Sequence, residues 1–515
     1  MASEPQNDTS NSDSFNTDFS SSKFSKIIDY LWPVHRHELP KFLLITLLMF
    51  SILLIQNLIR AMKDSVVNTM IGTETIAFLK FWGVLPAAFL VTIIYVKLVS
   101  IMKGETIFYL IMSVFLSFFC LFAFVLFPNY QYFHLDPAYA KYLGSLYPNL
   151  KWFILLLSNW SFSLFYIIAE LWPNAVFALL FWQFVNKITT VEESKRFYPL
   201  FGLLGQTGLY IAGTFLMNLS NISNYIIGNF AANADKSVVS IQIVISVVLV
   251  LGLLALVAFW LINTKILDEE TINNLKFKVK KNHLSLKDSF KMIVESRYIR
   301  LITVLLFCYG LAINLVEGPW KAEANKLYTN PTDFAVFVGS YLSYTGLFTI
   351  FFVIVGSNLV RRLGWFSAAI ITPLMVLITG SLFFMISNFD AVGSLLVTFF
   401  VMTDPLMLAV LIGAIQNVFS KSSKYTFFDS TKEMAYVPLE DELKTKGKAA
   451  ADMIGTKLGK SASAFVQSMI FIIIPTATYH SISTFLMVIF LIICIVWVWT
   501  VVELNKEYKK LCGNK

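Results

Sequence analysis

A few charged residues interrupt long apolar stretches of this sequence, and their side chains are the ones that could do chemistry. Glu170 stands inside one apolar run, and Arg60 and Lys63 lie at the end of another. A charge near the centre of a bilayer costs about 2.5–3.5 kcal/mol on insertion scales, so a charge kept there predicts a function. Lysine and arginine bind phosphate groups, and a carboxylate can pair with them. These residues therefore predict a binding site for a multiply charged anion.

A second set of charges repeats the first at a fixed distance along the chain. Asn57-Leu-Ile-Arg60 and Asn314-Leu-Val-Glu317 each end an apolar run, and the asparagines lie 257 positions apart (57 to 314). Glu317 is followed by Lys321. The same pattern at the same place in each half of the chain indicates a duplication.

A third group of charges lies between 429 and 460. Lys432 is in this group, and Lys446 and Lys448 stand at the entrance of a predicted helix, where a base can face a central cavity. For the acids at 440–442, a solvated loop is the simpler interpretation.

The order of residues from Gly455 to Ser461 superficially resembles a phosphate-binding loop. Only three residues separate Gly455 from Gly459, and the segment lies inside an apolar helix instead of following a strand. Close helix packing through small residues is therefore the predicted role of these glycines.

The elements that must position these charges are apolar helices. Hydrophobic residues make up 57% of the 515 residues and charged residues only 14%, which excludes an ordinary soluble enzyme and predicts an integral protein of the lipid bilayer. A helix needs about 20 apolar residues to span a bilayer. We expect Pro173 to kink the longest run, 152–187. The predicted spans are 42–62, 76–99, 106–127, 152–187, 198–219, 239–263, 299–318, 334–360, 366–387, 393–419, 449–475 and 482–502.

These spans predict an all-α membrane protein of about 12 helices in two parallel six-helix pseudo-repeats. This is the architecture of the major facilitator type, with the substrate between the halves near the midplane. Most lysines and arginines fall in loops on one side, which predicts that both termini are cytoplasmic. The predicted units are a disordered cytoplasmic tail (1–40), an N-terminal bundle (41–264), a basic cytoplasmic linker (265–298), a C-terminal bundle (299–505) and a cytoplasmic tail (506–515).

Other classes of function find little support in the sequence. The bases do not form a basic face interleaved with aromatics, so we expect no nucleic-acid partner. The 4 cysteines are far apart, and no His, Cys and carboxylate cluster suggests a ligand set, so we expect no disulfide framework, metal or cofactor. No Ser, His and Asp set suggests hydrolysis, so we expect a transporter and not an enzyme. The first residues fit neither a secretory signal nor an organelle transit peptide.

Four stretches are distinctive enough to compare with known families. They are Arg60-Ala-Met-Lys63-Asp64-Ser-Val-Val, Ala169-Glu170-Leu-Trp172, Asn314-Leu-Val-Glu317 with Trp320-Lys321, and Lys432-Glu433-Met-Ala-Tyr436-Val-Pro438-Leu running into Lys444-Thr-Lys446-Gly447-Lys448. In these stretches the sequence resembles the nucleotide transporter family of chlamydiae, rickettsiae and plastids, the ATP/ADP translocases. The similarity covers about residues 40 to 505, and the sequence looks like a chlamydia-type ATP/ADP antiporter.

The resemblance implies exchange of cytosolic ADP, together with phosphate, for external ATP across the inner membrane of an intracellular bacterium. ATP, ADP and inorganic phosphate are then the transported partners, and we expect a monomer because the cavity is complete in one chain. The family also contains proton-coupled importers and exchangers of other nucleotides, which remain alternatives. A facilitator of another organic phosphate and a channel-like or structural membrane protein are further alternatives.

The resemblance also implies that Lys63, Glu170, Glu317 and Lys446 are needed for transport. We expect Lys63, Arg60 and Lys446 to hold the phosphates, and the two glutamates to pair with those same lysines, Lys63 and Lys446, in the empty site. Further candidates for substrate binding are Asn57, Asn314, Lys321, Lys432 and Lys448. The base is expected to stack on an aromatic side chain, for which the candidates are Trp82, Tyr166, Trp172 and Trp320.

Overall fold

Long helices make up the computed structural model of the protein, which describes residues 34–230, 232–267, 286–399, 404–440 and 443–513. Within those ranges all regular structure is helical, and 11 helices are long and apolar enough to cross a membrane. The predicted all-α membrane fold is therefore confirmed. Most of the predicted tail, 1–40, and of the predicted linker, 265–298, lies outside the described residues.

The membrane helices are numbered α1 to α12 in chain order. They are α1 Leu39–Met70, α2 Thr75–Ile101, α3 Gly104–Leu126, α4 Trp160–Ile188, α5 Val191–Met217, α6 Lys236–Ile266, α7 Arg297–Leu327, α8 Pro331–Val355, α9 Gly364–Asn388, α10 Pro405–Tyr436, α11 448–473 and α12 Tyr479–Gly513. Helix α11 is less apolar than the other eleven because Asp452, Lys457 and Lys460 interrupt it. Short helices between them include Pro137–Leu146, Lys151–Ser158, Leu219–Phe230, Leu286–Glu295 and Asp390–Phe399.

Helix α4 differs from the single kinked span predicted at 152–187. A separate helix, Lys151–Ser158, ends at Asn159, whose side chain donates to the carbonyl of Leu155 at 2.9 Å. Such a local bond competes with helix continuation. The predicted irregularity at Pro173 is present, because the wider helical turns of Pro173–Phe181 begin there, where the proline lacks an N–H donor.

Helix α10 differs from the predicted span 393–419 at both ends. Asp404 caps a new helix by accepting from the backbone N–H of Leu406 at 2.9 Å, so the span starts at Pro405. The helix then continues past Lys421 to Tyr436. Hydropathy ended the predicted span at its charges, whereas a helix can continue through charges that face water and not lipid.

The first half of the protein contains α1–α6 and the second contains α7–α12. A buried tryptophan holds helices together in each half. The indole of Trp172 in α4 donates to the carbonyl of Ile52 in α1 at 3.1 Å. The indole of Trp320 in α7 donates to the carbonyl of Val410 in α10 at 2.9 Å. Both side chains are almost fully buried, so each half has a fixed arrangement of the helices that carry the charged residues.

The two halves contact each other through closely packed backbones. Helix α5 of the first half lies against α8 of the second, where a Cβ at Gly346 would approach the backbone N of Tyr210 to 2.7 Å. Small residues allow such close approach of membrane helices. The α5–α8 contact therefore depends on glycine at this position.

The contacts between the halves lie mostly on one side of the membrane. We call the side where α1 ends the far side and the side where it begins the terminal side. At the far side the backbone N–H of Tyr479 donates to Glu74 at 3.3 Å, and Asn149 donates to the carbonyl of Ile472 at 2.6 Å. The conformation is thus closed at the far side.

An ion pair on the terminal side joins helices of the first half. Arg196 of α5 donates two hydrogen bonds of 2.6 Å to the carboxylate of Glu38, which precedes α1. These bonds stabilise the ionised carboxylate and lower the pKa of Glu38 to about 2. Lys41 and Glu193 add a second pair at 2.8 Å between the same helices.

Candidate functional site

Buried ion pairs cross between the halves near the far side. On α1, the Lys63 ammonium lies 2.8 Å from the Asp64 carboxylate and 3.0 Å from that of Glu170 on α4. Asp64 also contacts Lys321 of α7 at 2.9 Å, which joins the first half to the second. The side chains of Lys63 and Asp64 are 3% and 5% exposed, so little water screens these charges.

The pairs continue within α7 and back to the first half. Lys321 lies 2.8 Å from Glu317, whose other oxygen is 3.0 Å from Lys80 of α2. Lys80 also donates to the side-chain oxygen of Asn314 at 2.8 Å. The six charged residues joined in this way are the outer charge network: Glu170, Lys63, Asp64, Lys321, Glu317 and Lys80.

The outer charge network is neutral because its three carboxylates alternate with three lysines. Removing an ion from water costs several kcal/mol, and a buried pair recovers that cost only with good geometry. At a rise of 1.5 Å per residue, Asp64 lies about 9 Å from the far end of α1 and Glu317 lies about 15 Å from the far end of α7. The network occupies this range of depth in the membrane. A small pocket beside it of about 10 Å³ has room for about one water. The network thus closes the space between the halves.

The ion pair at the centre of the network joins two corresponding positions of the duplicated halves. Asp64 and Lys321 are 257 residues apart, the same offset that relates Asn57 to Asn314. Positions related by a two-fold axis contact each other only on that axis. The pseudo-two-fold axis of the protein therefore passes between Asp64 and Lys321, which carry opposite charges.

Three further cations lie deeper in the membrane than Asp64. Arg60 of α1 and Lys421 of α10 are half-buried, and Lys460 of α11 is exposed. Lys421 and Lys460 belong to the half of the protein that does not contain Arg60. These three residues are called the cation trio. Because all three lie well inside membrane helices, their exposure indicates a water-filled cavity between the halves.

Comparison with known proteins identifies the family. The TLC ATP/ADP transporter family matches residues 17–508. The chain belongs to this family. It is 66% identical to ADP,ATP carrier protein 4 of Rickettsia felis over 95% of the chain and 96% of the relative. It is 65% identical to ADP,ATP carrier protein 4 of Rickettsia prowazekii, over 95% of both chains, and 45% identical to carrier protein 3 of that organism, over 95% of this chain and 98% of the relative.

Solved structures confirm the major-facilitator-like fold of this TLC transporter. The nucleoside transporter NupG has a TM-score of 0.53 at 12% identity, covering 90% of this chain and 99% of that chain. A D-xylose-proton symporter has a TM-score of 0.52 at 13% identity, covering 90% of this chain and 97% of that one. At such low identity the likeness concerns the fold alone. The apolar helices and the membership of the TLC family together show that the protein is a multi-pass membrane transporter.

Three of the four charges needed for transport according to the resemblance lie in the network of this TLC transporter. Lys63 and Glu170 pair directly, and Glu317 follows through Asp64 and Lys321. The ion pairs of the network do not include Lys446. It is exposed in the turn Leu443–Gly447, which opens α11 on the terminal side and packs near the short helix Leu286–Glu295.

The remaining candidates are divided between two places. Asn57 and Asn314 are both buried, and Asn314 accepts a hydrogen bond from Lys80 of the network. Lys432 and Lys448 lie on the terminal side, where Lys432 contacts Asp452 at 3.4 Å and both lysines contact Glu433. There Glu433 and Lys448 line an open groove of about 540 Å³. These lysines therefore face the terminal side of the membrane and not the outer charge network.

Most of the aromatic candidates are not accessible to a base in this conformation. Trp172 and Trp320 are packed in the helix core, as described above. Tyr166 is fully buried, and the Lys63 ammonium lies 3.8 Å from the centroid of its ring. Trp82 is 44% exposed, so among the four candidates it alone presents a surface.

Sequence reasoning did not assign roles to three important residues. Asp64 is in the recognised motif but was not singled out, although an acid next to Lys63 is a visible signal. Lys80 lies inside the predicted span 76–99, so its charge in an apolar run could have identified it. Lys421 follows the end of a predicted span and looked like a loop residue. Among the described residues, we find no group of three or more side chains that could hold a metal ion.

Proposed function

We propose that this TLC transporter is an ATP/ADP antiporter, which imports ATP in exchange for ADP and phosphate by alternating access. The observation that carries the proposal is the outer charge network, a neutral set to which both halves contribute and whose central residues, Lys63, Asp64 and Lys321, are buried. The names of the rickettsial ADP,ATP carrier proteins, at up to 66% identity, supply the substrates. The proposal extends those substrates to this chain.

The network gives a physical reason for obligate exchange. Opening the far side separates Asp64 from Lys321 and Lys80 from Glu317, and breaking a buried pair costs about 3–5 kcal/mol when a charge is left unpaired. A bound nucleotide supplies negative charge that replaces the lost partners of the lysines. The loaded transporter can then change conformation, whereas the empty one cannot. Phosphate that moves with ADP offsets the additional phosphate group of ATP and keeps the exchange nearly electroneutral.

We propose specific roles for the charged residues. Lys63 and Arg60 contact the phosphates when the far side opens, and Lys446 contacts them from the terminal side. Glu170 holds Lys63 in the empty state, a role that their ion pair supports. Glu317 holds Lys321 instead of the expected Lys63 or Lys446, because Lys321 lies one turn away on the same helix. Additional contacts to the substrate are proposed for Asn57, Asn314, Lys321, Lys432 and Lys448.

We also propose a location for the protein and its functional oligomeric state. The terminal side is the cytoplasm of a bacterium, and the protein lies in the inner membrane with both termini inside. The bundles 41–264 and 299–505 move against each other, joined by the linker 265–298. One chain contains the whole cavity, so the monomer is the functional unit.

Uptake into proteoliposomes tests this function. Purified protein is reconstituted into vesicles loaded with ADP, ADP plus phosphate, ATP or buffer, and labelled ATP is added outside. We expect label to accumulate only in vesicles loaded with nucleotide, and more with ADP plus phosphate than with ADP alone. Equal uptake into buffer-loaded vesicles would contradict antiport.

A second candidate function is exchange of nucleotides other than ATP and ADP, or their uptake with protons. Rickettsia prowazekii has relatives named carrier protein 3 and carrier protein 4, and this chain is 45% and 65% identical to them. Two such different members in one organism favour a division of substrates between them. The same vesicles loaded with GDP, CDP or UDP, and an imposed proton gradient across unloaded vesicles, distinguish these functions.

A further inference from the structure

The cation trio has no anionic partner among the described residues. Within the part of the chain that the structure describes, the side chains of Arg60, Lys421 and Lys460 form no hydrogen bond and no ion pair. The nearest ring contact is that of Lys421, whose ammonium lies 5.3 Å from the centroid of Tyr341. Neighbouring lysines differ, because Lys424 lies 2.6 Å from Asp429. The trio is therefore a concentration of positive charge that nearby carboxylates do not neutralise directly.

The position of the trio raises the free-energy cost of leaving its three charges without anionic partners. Lys421 lies about 24 Å from the start of α10, and Lys460 about 20 Å from the end of α11, at 1.5 Å per residue. Both residues are thus near the middle of helices that cross the membrane. Like charges in a cavity with low-dielectric walls repel one another. An anion between them would remove this repulsion.

The three cations come from both halves of the protein. Arg60 belongs to α1, whereas Lys421 and Lys460 belong to α10 and α11 of the second half. At 1.5 Å per residue Arg60 lies about 15 Å, Lys421 about 24 Å and Lys460 about 20 Å from the far-side ends of their helices, so an anion with several charged groups spans this range of depth and joins the halves. A single carboxylate is too small to pair with three separate cations, while a chain of phosphate groups carries several charges along its length.

We propose that Arg60, Lys421 and Lys460 bind the polyphosphate chain of the transported nucleotide. This inference deepens the proposed function and rests on it for the nucleotide. It assigns binding to Lys421 and Lys460. Arg60 connects this site to the outer charge network, because it lies one helical turn below Asp64 on α1. Phosphate bound to Arg60 brings negative charge close to the lysines of that network and loosens it.

The test measures binding of inorganic tripolyphosphate, which has the charges of the nucleotide chain without a base. Wild type, Arg60→Gln, Lys421→Gln and Lys460→Gln are purified in detergent and titrated with tripolyphosphate, ATP, AMP and adenosine. Loss of one hydrogen bond to a charged group weakens binding about 10- to 100-fold. We expect that loss for tripolyphosphate and ATP, a smaller loss for AMP and no change for adenosine.

The matched control is Lys326→Gln. Lys326 is near the far end of α7, half exposed and paired with Glu323 at 2.7 Å, so its replacement removes the same charge outside the cavity. Thermal melting of each variant checks folding, and Lys421→Arg, which keeps the charge, should retain most of the affinity. Tripolyphosphate affinities of folded Lys421→Gln and Lys460→Gln within twofold of wild type would overturn the proposal. So would the absence of tripolyphosphate binding to wild type.

Vesicle exchange by the wild type separates this inference from the proposed function. If tripolyphosphate binding depends on the trio but the wild type does not exchange ATP for ADP, the phosphate site stands and the assigned nucleotide is wrong. If exchange occurs and the trio variants bind tripolyphosphate normally, the function stands and the site lies elsewhere.

Discussion

Replacement of Asp64 by asparagine should open the far side of the transporter. Asp64 contacts Lys63 at 2.8 Å and Lys321 at 2.9 Å, and the second contact exists only while the halves are together. Asparagine has nearly the same size, so the change removes charge without creating a cavity. Two buried lysines then lose their shared carboxylate, and the network changes from neutral to a net charge of plus one.

The expected magnitude follows from the burial of the pair. The side chains of Asp64 and Lys321 are 5% and 3% exposed, so screening by water reduces the interaction little. Removing one partner of a buried pair costs about 3–5 kcal/mol when the other charge is left unpaired, and the lower end applies here because Lys63 keeps Glu170 and Lys321 keeps Glu317. Since 1.4 kcal/mol is a factor of ten, the closed state should lose about 100-fold or more against the open state. A 100:1 preference for closure would fall to near parity.

Distances between spin labels across the far side measure this shift. Labels at Tyr147→Cys and Ile474→Cys, both exposed on opposite halves, report the separation. They require serine in place of the native Cys120 and Cys512, which are at least partly accessible. We expect a single short distance without Asp64→Asn and an additional, longer distance with it.

The double variant Asp64→Asn with Lys321→Gln provides the decisive comparison. It leaves the pairs Lys63–Glu170 and Lys80–Glu317 and restores a neutral network, so it should open the far side less than the single variant. The reasoning would be refuted if Asp64→Asn, folded and melting normally, gave the wild-type distance distribution. Equal opening in the single and double variants would also refute the role of net charge.

Three further predictions concern transport and stability. Glu170→Gln should reduce exchange in proteoliposomes about tenfold or more, because Lys63 loses one of its carboxylates; exchange at the wild-type rate by correctly inserted protein would exclude this role. Arg196 lowers the pKa of Glu38 to about 2, so its stabilising contribution should be complete above about pH 4.5 and be lost as the pH falls through about 2. Melting in detergent across this range should show the loss for wild type, whereas Glu38→Gln should be less stable at neutral pH and lack this part of the acid dependence. Gly346→Ala should lower the melting temperature, because overpacking costs about 1–3 kcal/mol, while the control Gly228→Ala, with open space at its Cβ, should not.

The sequence was most informative where a bilayer dictates the pattern. Apolar runs of about 20 residues locate most of the helices because the thickness of the membrane sets their length. The same criterion failed at α10, where Lys421 and Lys424 ended the predicted span. Hydropathy cannot distinguish a lysine that faces a cavity from a lysine in a loop. The residue type is the same in both places, and only its surroundings in the folded protein differ.

The sequence predicted which residues belong to the candidate site better than it predicted which of them form ion pairs. Glu170 stood out because it interrupts a long apolar run, and its ion pair with Lys63 agrees with the expected pairing of the empty state. The lysines that hold Glu317 are Lys321 and Lys80, and Lys80 reaches it across the interface between the two halves. Such contacts between distant helices depend on the fold, and no local pattern of residues specifies them.

The opposite charges on the pseudo-two-fold axis restrict how the two halves can assemble. Two copies of the first half would bring Asp64 against Asp64, and two copies of the second would bring Lys321 against Lys321. Like charges buried face to face repel strongly, so each half should reject its own copy and accept the other. The two positions thus favour assembly of one first half with one second half. Separately expressed halves should therefore recover a complete transporter only when both are made in the same cell.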